Sequence, residues 1–304
     1  MKKYVVLFIC FALGLSNCKN KTEDNGKLNV VTTTTMITDL VKNIGGDSVN
    51  VQGLMGAGVD PHLYKASEGD VSKLVNADVI FYNGLHLEGK LVEVFEKMGS
   101  ATKTPIALAN ELDKTTLIGS DYFASNYDPH VWFDIDYFKQ FAAKVSIVLS
   151  EKDPDNASIY ESNKMKYVLQ LDQLQTEIKS KIESLSREKR ILVTAHDAFN
   201  YFGKAYGFEV VGLQGLSTAT EAGVQDMQKL ATFIIDKQVK AIFVESSVPK
   251  RTIEALQAAV KSKGHSVEIG GTLFSDALGN EGTPEGTYVG MFRYNIETIV
   301  NALQ

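Results

Sequence analysis

The tripeptide Asp-Pro-His occurs twice in the sequence, at residues 60–62 and 128–130. Asp-Pro favours a turn or a helix start, because Asp can cap the first turn and proline has its φ angle already set. The next residue, His62 or His130, is therefore held at a rigid corner from which its imidazole can be aimed. The nearby Asp can accept the second imidazole N–H, a contact that orients metal-bound histidines. The motif thus predicts two metal ligands, His62 and His130.

Two further candidate ligands lie in the second half of the chain. His196 directly follows the apolar segment 191–195, which has the pattern of a strand, and Asp276 lies in the loop sequence FSDALG. In open α/β sheets, loops at the carboxyl ends of strands carry ligand-binding residues. Three imidazoles and one carboxylate suit zinc, iron(II) or manganese, and they suit copper(I) and iron–sulfur clusters poorly.

The residue types alone leave a second interpretation open. Most histidines of soluble domains are structural or solvated, and a repeated tripeptide can arise by chance. His265 lies in a polar Lys-Gly-His turn and is expected to be solvated. His86 lies close to the expected cleft but is not predicted to be a ligand.

Strand-like and helix-like segments alternate from Leu28 onward, which predicts a mostly parallel sheet with helices on both faces. In the first half, the predicted strands are 30–35, 49–54, 79–82 and 106–108, and the predicted helices are 36–44, 70–76 and 87–98. Asp70 is the expected cap of the second helix.

The same alternation restarts at Ile191. The predicted strands there are 191–195, 208–212 and 241–245, and the predicted helices are 197–206, 224–237, 249–263 and 287–303. Between the two halves, segment 159–189 contains no glycine or proline. Its apolar residues recur at steps of three or four: Tyr167, Leu171, Leu174, Ile178, Ile182 and Leu185.

A single apolar stripe of this kind predicts one long amphipathic helix. A coiled-coil dimer is the alternative, but the seam is short and is flanked by globular sequence, so a monomer is favoured. The predicted fold class is α/β, with two α/β lobes of mostly parallel sheet joined by the linking helix. The lobes are expected at 28–158 and 190–304, with the helix at 159–189 and a ligand-binding cleft between the lobes.

The first residues have the layout of a secretory signal. Two lysines precede the apolar run 4–15, which is too short to span a bilayer comfortably. The run ends in Leu-Ser-Asn-Cys, similar to the lipobox in which the cysteine becomes the lipidated first residue. We therefore predict a signal peptide at 1–17, lipidation at Cys18 and a polar tether at 18–27. An ordinary secretory signal is the alternative, because Asn17 is larger than the small residue usual at that position.

Composition excludes several classes of protein. The formal net charge is -6 and becomes -8 when the two lysines of segment 1–17 are removed, which argues against nucleic acid as a partner. Both cysteines, Cys10 and Cys18, lie in the signal and lipobox region. The mature body therefore has no thiol for catalysis, zinc ligation or disulfides.

Five segments occur in an order that is typical of one family: DPHLY at 60–64, ADVIFYNGL at 77–85, DPHVW at 128–132, HDAFNYF at 196–202 and SDAL at 275–278. From Leu28 to its end, the chain resembles the zinc/manganese-binding lipoproteins of ABC importers, the cluster A-I or TroA-like solute-binding proteins. The resemblance implies that His62 and His130 from one lobe, and His196 and Asp276 from the other, bind one divalent metal ion as cargo. It also implies two lobes with a rigid linking helix.

The resemblance further implies a location and partners. The protein is expected at the cell envelope, held by its lipid anchor, where it delivers zinc or manganese to an importer permease with a cytoplasmic ATPase. Zinc-selective relatives often have a His-rich loop before the second ligand, but segment 111–127 contains no histidine. Some manganese-selective relatives have Glu at the position of His196. Because zinc generally binds such sites more tightly than manganese, affinity and physiological cargo can differ.

Two other functions compete with metal transport. A zinc hydrolase usually keeps three protein ligands and one open position for water, whereas Asp276 would fill the fourth position here. Glu245 is the nearest candidate for a general base, although a buried structural role suits it better. A surface adhesin would also be compatible with the lipid anchor, but adhesion does not need four buried ligands. The chain is therefore predicted not to be an enzyme.

Overall fold

The structure is a computed structural model of the 304-residue chain, and it describes residues 26–99, 104–121 and 123–304. The predicted signal peptide 1–17 and the predicted lipidation site Cys18 lie outside the described residues. So does all but the end of the predicted tether 18–27.

The first half forms a four-stranded sheet in which each neighbouring pair of strands is parallel. Its strands are β1 (Leu28–Thr32), β2 (Val49–Gly53), β3 (Val79–Tyr82) and β4 (Ile106–Ala107), in the order β2-β1-β3-β4. The helices between them are α1 (Thr35–Gly45), α2 (Glu68–Asn76) and α3 (Val92–Gly99). All four carboxyl ends therefore lie along one edge of the sheet.

The prediction that Asp70 caps α2 is wrong. Ser67 is the cap: its Oγ accepts a hydrogen bond from the backbone N of Asp70 (3.2 Å), and the Asp70 carboxylate accepts one from the backbone N of Ser67 (3.0 Å). This reciprocal capping box begins the helix at Glu68. Helix α3 also differs from its prediction, because it begins at Val92 rather than at Leu87.

Two helices follow the first sheet, α4 (Ile135–Lys152) and α5 (Ala157–Glu183). Helix α4 was not predicted from the sequence, although Asp134 caps it by accepting a hydrogen bond from the backbone N of Asp136 (2.9 Å). Helix α5 is the predicted linking helix. It buries the expected stripe from Tyr167 to Ile182, whereas Leu185 follows the helix end, and it packs against α1, α4 and α9 (Tyr288–Leu303).

The second half repeats the α/β pattern with parallel pairs. Its strands are β5 (Ile191–His196), β6 (Glu209–Gln214), β7 (Ala241–Glu245) and β8 (Glu268–Leu273), and its other helices are α6 (Asn200–Tyr206), α7 (Val224–Asp236) and α8 (Arg251–Ser262). β5 pairs with β6, β7 pairs with β8, and β5 and β7 lie side by side. β8 was not predicted, because its two glycines and mostly half-exposed residues lack a strand pattern.

The α/β architecture with mostly parallel sheets and a long helix is confirmed. One apolar core extends from Val30 in β1 to Leu303 in α9, so the two halves are packed together rather than only tethered. Aromatic contacts reinforce this packing: Phe138 stacks on Tyr288 with ring centroids 3.8 Å apart, and Phe133 lies 4.4 Å from Phe199. A shared core of this kind resists opening of the cleft.

None of the helices within residues 26–99, 104–121 and 123–304 combines the length and apolar character needed to cross a bilayer.

Candidate metal centre

His62 lies in the loop between β2 and α2. Its backbone N donates a hydrogen bond to Asp60 Oδ1 (2.8 Å), so the Asp-Pro corner is closed as the sequence predicts. The second oxygen of Asp60 accepts a hydrogen bond from Thr218 Oγ1 (2.5 Å), which belongs to the second half of the chain. This corner therefore joins the two lobes next to the site.

His130 lies in the second Asp-Pro-His corner, just before α4. Asp128 Oδ1 accepts a hydrogen bond from the backbone N of His130 (2.9 Å) and lies 2.7 Å from its Nδ1. The same carboxylate receives Asn200 Nδ2 at 3.1 Å, again from the other half. Because Nδ1 is engaged by Asp128, His130 presents Nε2 to the cleft.

His196 is the last residue of β5, and a carboxylate on the neighbouring strand β7 orients it. Glu245 Oε1 accepts a hydrogen bond from the backbone N of His196 (2.8 Å), and Glu245 Oε2 makes an ion-pair contact with His196 Nδ1 at 2.6 Å. Glu245 is 1% exposed. Its position behind the imidazole suits an orienting role better than that of a general base.

Asp276 lies in the loop after β8 and faces the three imidazoles. Asp276 Oδ2 is 3.2 Å from His196 Nε2 and 3.8 Å from His62 Nε2, and Oδ1 is 3.6 Å from His130 Nε2. Both carboxylate oxygens are buried and have no hydrogen-bond partner among the described residues. Buried polar atoms without a hydrogen-bond partner are rare in folded proteins, so the Asp276 carboxylate is suited to binding a cation.

The structure brings all four predicted residues into one group. Their ligand atoms lie within 4.8 Å of one another, all four residues are buried, and His62 and His130 approach to 3.2 Å between their Nε2 atoms. Two residues come from each side of α5, so the group spans the cleft. Nitrogen and oxygen atoms at these separations can close around one ion.

The electrostatics of the group favour a cation. Burial lowers the pKa of His62 to about 3. The nearby Asp276 carboxylate opposes this shift, and the imidazoles of His130, His196 and His86 add to it. Burial would also lower the pKa of His196, but the Glu245 and Asp276 carboxylates outweigh it and raise that pKa well above its usual value. Burial raises the pKa of Asp276, and the three imidazoles outweigh this and bring it below its usual range.

Other residues singled out in the sequence lie outside the group. His265 lies in the turn after α8 and is not part of the cluster. His86 is exposed at the mouth of the site, where its ring packs against Phe123. Asp128 was expected to orient His130, whereas the pairing of Glu245 with His196 depends on two strands that are distant in sequence.

The profile described as "Zinc-uptake complex component A periplasmic" matches residues 30–302.

The chain belongs to this family.

Individual relatives agree with this assignment. The chain is 50% identical over 279 residues to zinc-binding protein TroA of Treponema pallidum, covering 92% of this chain and 90% of that protein. It is 46% identical over 300 residues to manganese-binding lipoprotein MntA of Bacillus subtilis, covering 98% and 97%. It is 33% identical over 315 residues to the manganese ABC transporter substrate-binding lipoprotein PsaA of Streptococcus mitis, covering 100% and 99%.

A solved structure of a relative with the same sequence identity supports the fold. The structure of the periplasmic zinc-binding protein TroA from Treponema pallidum superposes with a TM-score of 0.89 and 50% sequence identity, covering 91% of this chain and 99% of that chain. The family and its α/β fold are thereby confirmed for this protein.

Proposed function

We propose that this protein captures one divalent transition-metal ion, zinc or manganese, at the cell envelope and delivers it to the permease of an ABC-type importer. The observation that carries the proposal is the buried group of His62, His130, His196 and Asp276, whose ligand atoms lie within 4.8 Å of one another. Family membership agrees with it, since relatives are named as zinc- or manganese-binding proteins and as an ABC transporter substrate-binding lipoprotein.

We propose His62, His130, His196 and Asp276 as the four ligands, two from a lobe at 28–158 and two from a lobe at 190–304. A segment at 159–189 joins the lobes in this proposal. The donor set suits zinc first, because three imidazoles favour ions that prefer nitrogen. Manganese also fits, because MntA and PsaA are named as manganese proteins.

A binding role suits the site better than catalysis. A hydrolytic zinc site keeps an open position for water, whereas Asp276 occupies the fourth side of this group. The one candidate base, Glu245, is already engaged by the backbone and ring of His196. An adhesin role is favoured by no feature of the described residues.

Calorimetry on chelator-stripped protein tests the metal site. Zinc and manganese should each bind with a stoichiometry of about one ion, and zinc should bind more tightly, following the usual order of divalent metals. Asp276→Ala should sharply reduce the affinity, because it removes one ligand and leaves three imidazoles around a cation. His265→Ala, which changes an imidazole outside the group, should bind as the wild type does. Wild-type affinity in Asp276→Ala would exclude this ligand set.

Elemental analysis of the protein purified from its own cells identifies the physiological cargo. Zinc is expected if intrinsic affinity determines which ion the protein carries in the cell, and manganese is expected if the supply of each metal determines it. A preparation that carries neither zinc nor manganese would contradict the proposed cargo.

We propose that Cys18 carries a lipid that holds the protein at the membrane. Stable anchoring requires more than one acyl chain, as a lipidated N-terminal cysteine can provide. Cys18→Ser should therefore release a soluble protein that still binds zinc, as fractionation and calorimetry would measure. Cys18→Ser protein that stays in the membrane fraction would contradict the anchor.

A further inference from the structure

One imidazole outside the four-ligand group stands at the mouth of the site. His86 is exposed, and its ring meets the ring of Phe123 at a centroid distance of 6.2 Å and an angle of 79°. Phe123 also meets the ring of His62 edge-on, at 6.5 Å and 87°. A single phenyl ring therefore lies between a solvent-exposed imidazole and a buried one.

The backbone that presents His86 has an unusual conformation. Leu85 and His86 have φ angles of 49° and 63°, in the left-handed region that few residues other than Gly adopt; His, like Asn and Asp, tolerates it better than Leu does. Two consecutive residues of this kind persist only where the surrounding structure imposes the conformation. Gly89 completes the arrangement, because a Cβ atom there would lie 2.9 Å from His86 Nε2.

A buried carboxylate imposes this loop conformation. Glu88 is 2% exposed, and its oxygens accept hydrogen bonds from Thr33 Oγ1 (2.7 Å), Asn83 N (2.8 Å) and Gly84 N (3.2 Å). The side chain of Asn83 in turn donates to the carbonyl oxygen of Pro129 (3.0 Å), next to the proposed ligand His130. The loop that carries His86 is thus tied to the same framework as the metal site.

The space beside Phe123 is open and carries negative charge. Phe123 lines a cavity of about 840 Å³ whose charged residues are Asp197, Glu221, Asp226 and Lys229. Glu221 also pairs with Arg251 at 3.7 Å, so the three carboxylates face two cationic groups and keep an excess of negative charge, which attracts cations. Phe123 relates this cavity to the site, because it lines the cavity and its ring contacts those of both His86 and His62.

We propose that His86 is an outer metal ligand, which binds the incoming ion before the ion reaches His62. The inference rests on the proposed function. An aqueous divalent ion must exchange its waters for protein ligands, and burying it without such ligands is costly. An exposed imidazole at the mouth can replace one water while the rest of the hydration shell is still present, and His62 then takes over.

Rapid-mixing kinetics on the full chain test this proposal. The variant is His86→Asn, which removes the imidazole but keeps a residue that tolerates the left-handed region. Zinc transfer to and from chelator-stripped protein is followed with a chromophoric zinc chelator. Both kon and koff should fall by the same factor, on the order of tenfold, while Kd stays unchanged. The factors are equal because His86 contacts the ion only in transit. It does not contact free aqueous zinc or zinc held by the four proposed ligands, so it changes both rates but not Kd.

Two comparisons sharpen the experiment. His265→Asn should leave both rates unchanged, since it alters an imidazole outside the site. The decrease for manganese should be smaller than for zinc, because imidazole binds manganese less strongly. His86→Gly, which accepts the left-handed region without strain, should reproduce the kinetics of His86→Asn.

The outcomes separate this proposal from the proposed function. Unchanged kon in both His86 variants would overturn the outer ligand and leave the four-ligand site intact. A weaker Kd caused by faster release alone would make His86 part of the final site and would also overturn it. Failure of the wild-type protein to bind zinc at all would instead contradict the proposed function.

Discussion

The two Asp-Pro-His corners use the same local geometry but different distant partners. In each corner, the Asp carboxylate accepts a hydrogen bond from the histidine backbone N, at 2.8 Å for His62 and 2.9 Å for His130. Only Asp128 also reaches its histidine ring, whereas Asp60 binds Thr218. The tripeptide therefore fixes the local turn, and the tertiary structure determines which second group the Asp carboxylate binds.

Replacing the carboxylate behind His196 should weaken metal binding without removing any of the four proposed ligands. Glu245→Gln keeps the size of the side chain but removes the charge that faces His196 Nδ1. Loss of such an orienting partner typically reduces metal affinity by about 10- to 100-fold. Calorimetry with zinc measures the change, and Glu254→Gln, on the exposed face of α8, is the control. Unchanged affinity in Glu245→Gln would show that Glu245 does not support the ligand.

Zinc binding should release about one proton near neutral pH, because bound zinc replaces the proton of a charged ligand. The pKa of His196 is raised well above its usual value, so its Nε2 carries a proton in the metal-free protein. The pKa of His62 is lowered to about 3, so His62 is already neutral and releases none. Affinity should therefore rise with pH around neutrality. Calorimetry in buffers of different ionisation enthalpy measures the released protons, and a value near zero would contradict this assignment.

The same two shifts act in opposite directions on the stability of the metal-free protein. His62 has a folded-state pKa below its unfolded value, so its contribution is present above about pH 6.5 and is lost as the pH falls toward 3. His196 has a raised folded-state pKa, so its contribution is present below about pH 6.5 and is lost as the pH rises through the folded-state value. In the metal-bound protein neither pH-dependent contribution applies, because imidazoles that bind the ion are neutral.

At the scale of elements, the short turn before α4 connects the proposed ligand His130 to the second lobe. Trp132 is 1% exposed, its ring lies 5.2 Å from the His130 ring, and its Nε1 donates to the carbonyl oxygen of Ser275 (3.1 Å). The hydroxyl of Tyr288 at the start of α9 donates to the carbonyl oxygen of Trp132 (2.5 Å). One side chain thus contacts the neighbourhood of a ligand on each side of the cleft.

Metal binding should change the fluorescence of Trp132, the single tryptophan of the chain. The indole contacts the ring of His130, and an ion at Nε2 alters the charge beside it. Titration of zinc into stripped protein should give an emission change that ends at about one equivalent. His130→Ala should abolish the change and His265→Ala should preserve it. An emission that stays constant while calorimetry reports binding would contradict this coupling.

At the scale of the whole molecule, a shared core and a rigid helix determine how the protein responds to its ligand. Helix α5 packs against α1, α4 and α9, and the core continues across both halves. Hydrogen bonds also join the halves near the site, as between Leu278 N and Thr35 Oγ1 (2.8 Å). We therefore expect metal binding to cause local ordering rather than a large closure of the lobes.

Metal should stabilise the folded protein as a unit. An ion bound by residues of both halves raises the free energy of unfolding by about 3–4 kcal/mol at 100 to 1,000 times its dissociation constant. The melting temperature, measured by calorimetry with and without zinc, should rise accordingly. Asp276→Ala should lose most of this rise while its metal-free form stays folded. A full rise in Asp276→Ala would show that the ion does not depend on this carboxylate.

Much of the fold could be predicted because it follows from local patterns. Alternating apolar runs indicated the α/β class, and the uninterrupted stripe of 159–189 indicated the long helix, found at Ala157–Glu183. Patterns that depend on distant contacts were missed: β8 has few buried residues of its own and pairs with β7 across the sequence. The predicted Asp70 cap is wrong because Ser67 forms a reciprocal capping pair with Asp70, so the helix starts two residues earlier, at Glu68.

The sequence by itself determined which residues are proposed as ligands and the corners that hold two of them, because the geometry of Asp-Pro-His is local to three residues. It also carried the ordered motifs that place the chain in its family. Only the tertiary structure decided that His62, His130, His196 and Asp276 meet within 4.8 Å, that Glu245 stands behind His196, and that His86 faces Phe123 at the mouth. These contacts join segments more than 30 residues apart, and packing of the sheets and helices, rather than local chemistry, sets such distances.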